Sequence, residues 1–541
     1  MYEENVRKMT YSEEQEHIFE YAANGIKNMI VQAVAGAGKT TTLVRCATLI
    51  DPSKKILLLA HNKSTRDTLK ERVGDHKNIR VFTLHGLAYR MFTEHFETEP
   101  DIDDDKYRKH VNHHMSDYVD NGFAALKPSV KMAYKRNIFD LLNKARHNLK
   151  QSSREIKRMA VSKYGMALVS NECEAVQAIL KWGREHLDTV DFQDLLWLPN
   201  ELGYFTKRYL SDVIMLDEAQ DASVAQQNVI SRCMKRNTRL FAFGDRDQTI
   251  NSWCGSDTEA FEHLKDTELF RRGADELPLT TNYRCGRKII EFAKRFTSND
   301  IKAHDNAPEG SVNFNVKVSE VVPGDMVLCR NIAPLMEFYR RKLADGVEVY
   351  FRGEELGKNL TEAVDCSKGD SMADIIWSLK SRLVSTWAIV TKGSEASDRE
   401  TATDPLVVSL HDTIKTLEAL PDWITCRDDF YRFTQDIFSD EGKSGIQLST
   451  IHRAKGLESD RVFVICQSLI PSKLAKMDWE IEEEKHLAYV MATRPKHSLN
   501  FVSEADLAPS SAYSNANAFY QELCDIRREV NDKLASDGII F

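Results

Sequence analysis

A glycine-rich turn near the amino terminus has the composition of a phosphate-binding loop. Residues 33–40 read AVAGAGKT and lie between an apolar run and a predicted helix. Gly36 and Gly38 let the backbone bend so that successive N–H groups face an anion at the amino end of the helix. Lys39 is then expected to bridge the β and γ phosphates of a nucleotide, and the Thr40 hydroxyl to hold Mg²⁺. The alternative is a glycine turn that only caps the helix.

A pair of acids follows another apolar run. Residues 212–221 read DVIMLDEAQD, so a predicted strand delivers Asp217 and Glu218 to its carboxyl end. Asp217 can hold Mg²⁺ through water, and Glu218 can polarise the water that attacks the γ phosphate. This pattern is weak evidence alone, but together with the phosphate-binding loop it predicts a nucleoside triphosphatase. A translocating motor, a signalling switch and a transporter-type ATPase all remain open at this point.

The elements that must position these residues alternate between strands and helices. Residues 29–33 and 55–60 are apolar runs typical of buried strands, and a helix is predicted over 39–50 between them. This βαβ rhythm predicts a parallel sheet that is covered by helices. Further strands are expected over 212–216, 239–243, 445–450, 461–466 and 498–502.

Two long segments interrupt this rhythm. From about Phe92 to Asp191 the sequence is polar, helical and rich in His and Lys, and from about Leu356 to Lys443 the strands lapse again. Each interruption is long enough to be an inserted domain. The predicted division is a first α/β domain over 1–91 and 192–275 with 92–191 inserted, and a second over 276–355 and 444–541 with 356–443 inserted.

Composition limits the possible functions. A chain of 541 residues is too long for one core, and 42% hydrophobic with 29% charged residues is typical of soluble globular proteins. No run approaches the roughly 18 apolar residues of a membrane-spanning helix. The net charge of −9 argues against a protein that coats duplex DNA by charge alone, although it permits a local basic groove. We expect a cytoplasmic protein associated with the nucleoid, or a nuclear one in a eukaryote.

Two groups of residues could bind metal but lack the usual pattern. The ten cysteines include no C-x-x-C pair, which argues against a zinc or redox site. His110, His113 and His114 have suitable spacing for metal ligands, but no acidic or Cys ligand pattern accompanies them. A solvated helix face is the favoured interpretation of the histidines.

The string DEAQD at 217–221 resembles the second motif of superfamily 1 helicases of the UvrD/Rep/PcrA type, and further similar segments follow that family's order. These segments are TYSEEQ at 10–15, LLLAHNKSTRDTLKERV at 57–73, FTLHGLAYRMF at 82–92, FGDRDQTINSWCGSD at 243–257, LTTNYRC at 279–285, STIHRAKGLESDRVFVI at 449–465 and EEKHLAYVMATRPK at 483–496. The second and third of these are worded more like the F-box DNA helicase branch. The sequence departs from the family pattern at Asn251, Cys254 and Pro495, where Tyr, Arg and Ala are usual.

The resemblance implies two RecA-like P-loop domains with parallel sheets and ATP in the cleft between them. The inserted segments then correspond to domains 1B and 2B, both mainly helical. Implied catalytic residues are Lys39, Glu218, Gln248, Arg284 and Arg494, the two arginines coming from the second domain. Implied nucleotide-binding residues are Gln15, Gly36, Ala37, Gly38, Lys39, Thr40, Thr41, Tyr283, Arg284, Glu458 and Arg494, with Mg²⁺ at Thr40 and Asp217. Gln15 and Tyr283 are expected at the adenine and Glu458 at the ribose.

The same resemblance implies an ATP-dependent DNA helicase or translocase that moves 3′ to 5′ on single-stranded DNA. The residues expected to contact DNA are Asn62, Lys63, Thr83, His85, Trp253, His452 and Lys455. Trp253 is expected to stack on a base, the alternative being a core aromatic. Expected partners are single-stranded DNA, its junctions with duplex, and a separate protein such as a nuclease, because the segment after 496 is too short for a nuclease domain.

A different class of function fits the same residues. ATP could control a DNA-bound switch, or a subunit of a multi-protein repair or defence complex, that does not unwind DNA independently. Stimulation of ATP hydrolysis by single-stranded DNA separates the motor from the switch. The pathway stays open among repair, recombination, replication restart, plasmid or phage replication, and antiviral defence.

Overall fold

The computed structural model describes residues 11–118, 128–166, 168, 171–250, 261, 266–392, 397–439, 444–508 and 510–536. The strands are β1 Asn28–Ala33, β2 Ile56–Ala60, β3 Ile79–Thr83, β4 Asp101–Ile102, β5 Thr189–Val190, β6 Ser211–Leu216, β7 Met234–Gly244, β8 Ala274–Leu279, β9 Thr281–Asn282, β10 Lys302–Ala303, β11 Ser311–Val316, β12 Met326–Cys329, β13 Val349–Arg352, β14 Phe438–Ser439, β15 Ile446–Thr450, β16 Ser459–Val464 and β17 Pro495–Val502.

The helices cover the sheets and form the insertions. They are α1 Glu13–Asn24, α2 Lys39–Leu49, α3 Lys63–Val73, α4 Leu84–Phe96, α5 Lys106–Tyr118, α6 Pro128–His147, α7 Ser153–Tyr164, α8 Glu172–Glu185, α9 Asp194–Leu202, α10 Val224–Arg232, α11 Arg287–Ala293, α12 Ile332–Ala344, α13 Glu354–Asp365, α14 Met372–Lys392, α15 Asp398–Thr401, α16 Pro405–Glu418, α17 Arg427–Ile437, α18 Asp478–Ala492 and α19 Ala516–Ser536.

The first sheet has the order β3-β2-β6-β7-β1-β8, and its strands are parallel. Its central strands are apolar on both faces because helices cover both; every residue of β2, for example, is buried. The carboxyl ends of β1, β6 and β7 lie at one edge, with Gln32 paired to Gly244 and Leu216 to Ala242. Loops at this edge of a parallel sheet are where ligands usually bind.

The second sheet has the order β11-β17-β16-β12-β15-β13-β14 and is also parallel. The prediction of two RecA-like domains with parallel sheets is therefore confirmed. One apolar cluster joins the two sheets: it contains Val31 and Leu58 from the first, and Val464, Leu487 and Tyr489 from the second half of the chain. The two halves of the chain thus meet through buried side chains beside the phosphate-binding loop.

The insertions are mainly helical, and the first also holds the short β4–β5 pair. One sheet strand crosses an expected boundary, and another lies inside an expected insertion. The strand β8 pairs with β1, Leu277 lying beside Val31, so the chain leaves the first sheet after Leu279 and not at 276. The strand β14 pairs with β13 in the second sheet. The chain therefore re-enters this sheet at Phe438, inside the segment expected to be inserted. Both are edge strands, and their sequences carry little of the apolar pattern by which buried strands are recognised.

Candidate active site

The phosphate-binding loop joins β1 to α2 at the carboxyl edge of the first sheet. Gly36 and Gly38 have φ angles of +68° and +75°, a left-handed conformation that glycine adopts without steric cost. A Cβ on Gly36 would lie 2.6 Å from Asn282 Nδ2, so the loop packs directly on the segment leading to the second half of the chain. The N–H of Tyr283 also donates to the Gly36 carbonyl at 2.9 Å.

Lys39 and Glu218 form an ion pair at this loop. Lys39 Nζ lies 3.0 Å from the Glu218 carboxylate, and both side chains are largely buried. Burial opposes the charged form of Lys39, but Glu218, Asp245 and Asp217 raise its pKa above the usual range. Burial likewise acts to raise the pKa of Glu218, but Lys39 and Lys455 hold it far below its usual range. The expected general base is therefore ionised and already paired with the expected phosphate ligand.

Asp217 and Thr40 form a set of oxygen donors at the same edge of the sheet. Asp217 follows β6 and is buried, and burial together with the neighbouring Glu218 raises its pKa to about 7. Thr40 lies in the first turn of α2. A carboxylate and a hydroxyl are hard ligands of the kind Mg²⁺ prefers, so this donor set fits the ion.

Glu218 itself has an unusual backbone. Its φ angle is +51°, in the left-handed region that side chains other than glycine rarely adopt. Its N–H donates to Asp217 Oδ1 at 3.1 Å, and its carboxylate accepts a hydrogen bond from Gln220 Nε2. This turn aims the carboxylate at Lys39 instead of letting it continue along the strand direction.

The two expected arginine fingers lie on the second half of the chain and face the first. Arg494 is fully buried, and its terminal nitrogen lies 3.5 Å from Gln248 Oε1. Burial and the charge of Arg284 lower the pKa of Arg494 to about 9. Arg284 donates from Nε to Glu458 at 2.8 Å, which brings the expected ribose ligand beside it. The structure thus gathers Gln248, Arg284, Glu458 and Arg494 around one cleft.

Two further contacts cross this cleft, and the sequence did not point to either. The hydroxyl of Tyr489 accepts a hydrogen bond from the Ala35 N–H at 3.1 Å, with both groups buried. Lys455 Nζ lies 2.6 Å from Asp221 and 2.7 Å from the Gln248 carbonyl. Lys455 was expected to contact DNA; here it is paired across the cleft, and its contact with DNA stays a prediction.

The base end of the nucleotide site is formed by α1, α2 and the segment around Tyr283. Gln15 donates from Nε2 to Thr42 Oγ1 at 2.9 Å, which fixes its amide beside α2. Arg72 of α3 donates to Thr41 Oγ1 at 3.3 Å. Tyr283 keeps 40% of its surface exposed, as an aromatic face awaiting a base would. The adenine contacts expected of Gln15 and Tyr283 stay predictions.

The residues expected to contact DNA begin the helices that follow β2 and β3. Asn62 accepts a hydrogen bond from Thr65 at 2.8 Å as the cap of α3, and Lys63 beside it is exposed. Thr83 caps α4, and the ring of His85 stacks on Phe192 with 4.2 Å between centroids. Phe192 is 52% exposed although it is aromatic. Phe192 is not among the DNA contacts expected from the sequence; the available signal was a lone aromatic just after the first insertion.

The other expected DNA contacts are less clearly placed. His452 follows β15, and burial together with Arg330 and Arg453 lowers its pKa well below the usual range. Trp253, Asn251 and Cys254 lie outside the described residues. Burial and the charge of His61 lower the pKa of His85 to about 4, so His85 is neutral near pH 7.

Histidines on α5 stack on neighbouring rings. His110 stacks on Trp182 with 3.6 Å between ring centroids, and it also stacks on His114. Among the residues that the structure describes, no group of His, Cys, Asp or Glu side chains is arranged to hold a metal ion. In the same part of the chain, no helix combines the length and the apolar character needed to cross a membrane.

Comparison with known proteins agrees with this geometry. Residues 12–268 match the UvrD/REP helicase N-terminal domain, and residues 425–505 match the UvrD-like helicase C-terminal domain. Together the two matches cover more than half of the chain. The chain belongs to the UvrD/Rep helicase family. Its two RecA-like sheets and the cleft between them are therefore the core of a UvrD-type fold.

The chain spans about half the length of the first two of three relatives with which it aligns, and most of the third. The chain is 25% identical over 311 residues to a probable DNA helicase II homolog of Mycoplasma pneumoniae, which covers 53% of this chain and 42% of the relative. It is 23% identical to F-box DNA helicase protein 1 of Schizosaccharomyces pombe, over 92% of this chain and 58% of the relative. It is 22% identical to DNA helicase II of Salmonella typhimurium, over 92% of this chain and 85% of the relative.

Proposed function

We propose that this UvrD/Rep family chain is an ATP-dependent DNA helicase or translocase that moves 3′ to 5′ along single-stranded DNA. The observation that carries the proposal is the division of the nucleotide site between the two halves. Lys39 and Glu218 come from the first sheet, and the guanidinium of Arg494 reaches Gln248 from the second. Several similar proteins are named DNA helicases, which supports the choice of DNA as substrate.

Hydrolysis in this cleft begins with an exchange of partners. Lys39 would pair with the γ phosphate of ATP and no longer with Glu218. The Glu218 carboxylate would then be free to accept a proton from the attacking water. Loss of the Lys39 partner removes the main cause of the low Glu218 pKa, so the carboxylate becomes a stronger base when the water must be deprotonated. Mg²⁺ bound by Thr40 and Asp217 would supply charge neutralisation at the phosphate oxygens.

The arginines supply the second part of the chemistry. Charge develops on the phosphoryl oxygens in the transition state, and preorganised cations in a dry cleft stabilise it strongly. Arg494 and Arg284 are held by hydrogen bonds to their own half of the chain, so the positions of both depend on how far the cleft is closed. Closure would therefore control hydrolysis, and product release would allow reopening.

Movement along DNA requires a grip that changes with closure. Asn62, Lys63, Thr83, His85 and Phe192 form a candidate surface on the first half, with Phe192 as a stacking platform. Base stacking on aromatic side chains is tolerant of sequence, so we expect little sequence preference. Trp253 and His452 would extend this surface.

A protein partner such as a nuclease, and a location in the cytoplasm or nucleus, belong to the same proposal.

The decisive experiment measures ATP hydrolysis with and without single-stranded DNA, followed by unwinding of partial duplexes that carry 3′ or 5′ tails. We expect stimulation by single strands and opening of 3′-tailed duplexes only. Glu218→Gln is the matched negative control, since it keeps the shape of the site. ATP turnover that DNA does not stimulate would favour the ATP-controlled switch, and opening of 5′-tailed duplexes would contradict the polarity.

A further inference from the structure

The two insertions contact each other through polar side chains. The helix α6 of the first insertion packs against α14 of the second. Arg108 on α5 pairs with Glu362 on α13 at 3.1 Å, and Arg136 on α6 donates to Ser409 Oγ on α16 at 3.2 Å. The contact between the insertions is therefore built from arginines of the first insertion and acceptors of the second.

Arg382 lies on α14, the helix that packs against α6 in this contact. Its Nε is buried and, within the part of the chain that the structure describes, makes no hydrogen bond. No ion pair to Arg382 is present there either. Burial and repulsion by the nearby Arg136 lower its pKa to about 10, so it remains charged near pH 7. A buried donor and charge left unpaired are costly, because water can no longer solvate them.

The neighbouring acids do not neutralise the charge of Arg382. Asp140 is paired with Lys144 one turn further along α6. Asp404 caps α16, and burial raises its pKa to about 6. The charges of Asp140 and Asp404 both act on Arg136. Neither carboxylate is among the groups that act on Arg382. The side chain is only partly covered, so its outer N–H groups can still reach a ligand from solvent.

We propose that Arg136 and Arg382 together bind a phosphate group that bridges the two insertions. Guanidinium groups match phosphate in geometry and can bind it through paired N–H donors. A phosphate at this position would give the unpaired arginine its acceptors and would offset the repulsion between the two cations. Its source is either a backbone phosphate of DNA at a junction or free inorganic phosphate. Only the DNA source rests on the proposed function.

The first test uses inorganic phosphate and does not depend on DNA. Tm is measured in phosphate and in chloride at constant ionic strength for wild type, Arg382→Gln and Arg399→Gln, the last being an exposed arginine of the same insertion. A ligand that binds only the folded protein raises its Tm. We expect phosphate to raise the Tm of wild type and Arg399→Gln, and Arg382→Gln to lose at least half of that rise. Equal rises in all three proteins would overturn the proposal.

The second test asks whether DNA supplies the phosphate. Loss of one phosphate contact should reduce the log–log dependence of duplex affinity on salt by about 0.9. Arg382→Gln should show this reduction with a 3′-tailed duplex, while its salt dependence on a single-stranded oligonucleotide stays that of wild type. An unchanged duplex slope together with a positive first test would establish the site with free phosphate as its ligand.

A second variant protects both tests from a folding defect. Arg136→Gln should lose the phosphate-dependent rise in Tm in the same way, because the site needs both guanidinium groups. A full phosphate response in that variant would contradict a shared site. If ATP hydrolysis were not stimulated by DNA, the proposed function would fail while the phosphate response remained, so the two failures are distinguishable.

Discussion

Removal of one oxygen atom, in Tyr489→Phe, tests whether the cleft closes as the structure indicates. The Tyr489 hydroxyl accepts a hydrogen bond from the Ala35 N–H at 3.1 Å, and the tyrosine side chain is fully buried. Phenylalanine fills the same space but leaves the N–H without an acceptor and out of reach of water. A buried donor left unsatisfied costs about 1–3 kcal/mol. Since the bond joins the two halves, this cost falls on the closed cleft.

A penalty of that size shifts the equilibrium between closed and open cleft by about 5- to 150-fold. If closure precedes hydrolysis, kcat should fall by up to the same factor, while nucleotide binding to the open form changes little. The assay is steady-state ATP hydrolysis beside equilibrium nucleotide binding, with Tyr339→Phe as a control for removing the hydroxyl of a buried tyrosine elsewhere. A kcat for Tyr489→Phe equal to that of the control would refute this account of closure.

Three further outcomes are expected. Glu218→Gln should bind nucleotide but lose turnover by orders of magnitude, because the amide cannot accept the proton; a parallel loss of binding in a titration would make Glu218 structural. Phe192→Ala should weaken single-strand binding by about 1–3 kcal/mol in an anisotropy titration, whereas truncation of the equally exposed Phe314 should not; equal effects would exclude stacking. Hydrogen bonding to His411, above all, lowers the pKa of Glu522 to about 2. The ionised Glu522 side chain should therefore stabilise the fold fully above the unfolded pKa of about 4.3, and this stabilisation should vanish as pH falls toward 2. Urea unfolding of Glu522→Gln should therefore differ from wild type at pH 7 and not at pH 2; a difference independent of pH would contradict this.

The parts of the site that depend on neighbouring residues could be predicted from the sequence. The phosphate-binding loop needs glycines at Gly36 and Gly38, followed at once by Lys39, and the structure gives both glycines left-handed φ angles. The acids at the end of β6 were equally visible, because an apolar strand carries them to the ligand-binding edge. The helical insertions were recognised because the strand rhythm lapses where they begin.

The remaining contacts depend on packing between distant segments. Tyr489 and Ala35 are 454 positions apart, and their hydrogen bond exists only because α18 packs on the nucleotide loop. Lys455 has the charge expected of a DNA ligand, yet its position across the cleft pairs it with Asp221. Stacking between His85 and Phe192 is likewise a product of how the first insertion joins the sheet. Residue types show which contacts are chemically possible, but they do not show which of these contacts form.

The left-handed backbone at Glu218 lowers the stability of the fold at the same residue whose carboxylate is expected to act in ATP hydrolysis. A side chain with a Cβ in this conformation costs roughly 1–2 kcal/mol relative to glycine. Selection of variants for thermal resistance alone should therefore favour glycine or asparagine at this position. Any such gain would remove the carboxylate that faces Lys39. Screens that reward only heat tolerance should thus yield proteins that melt later and no longer turn over ATP.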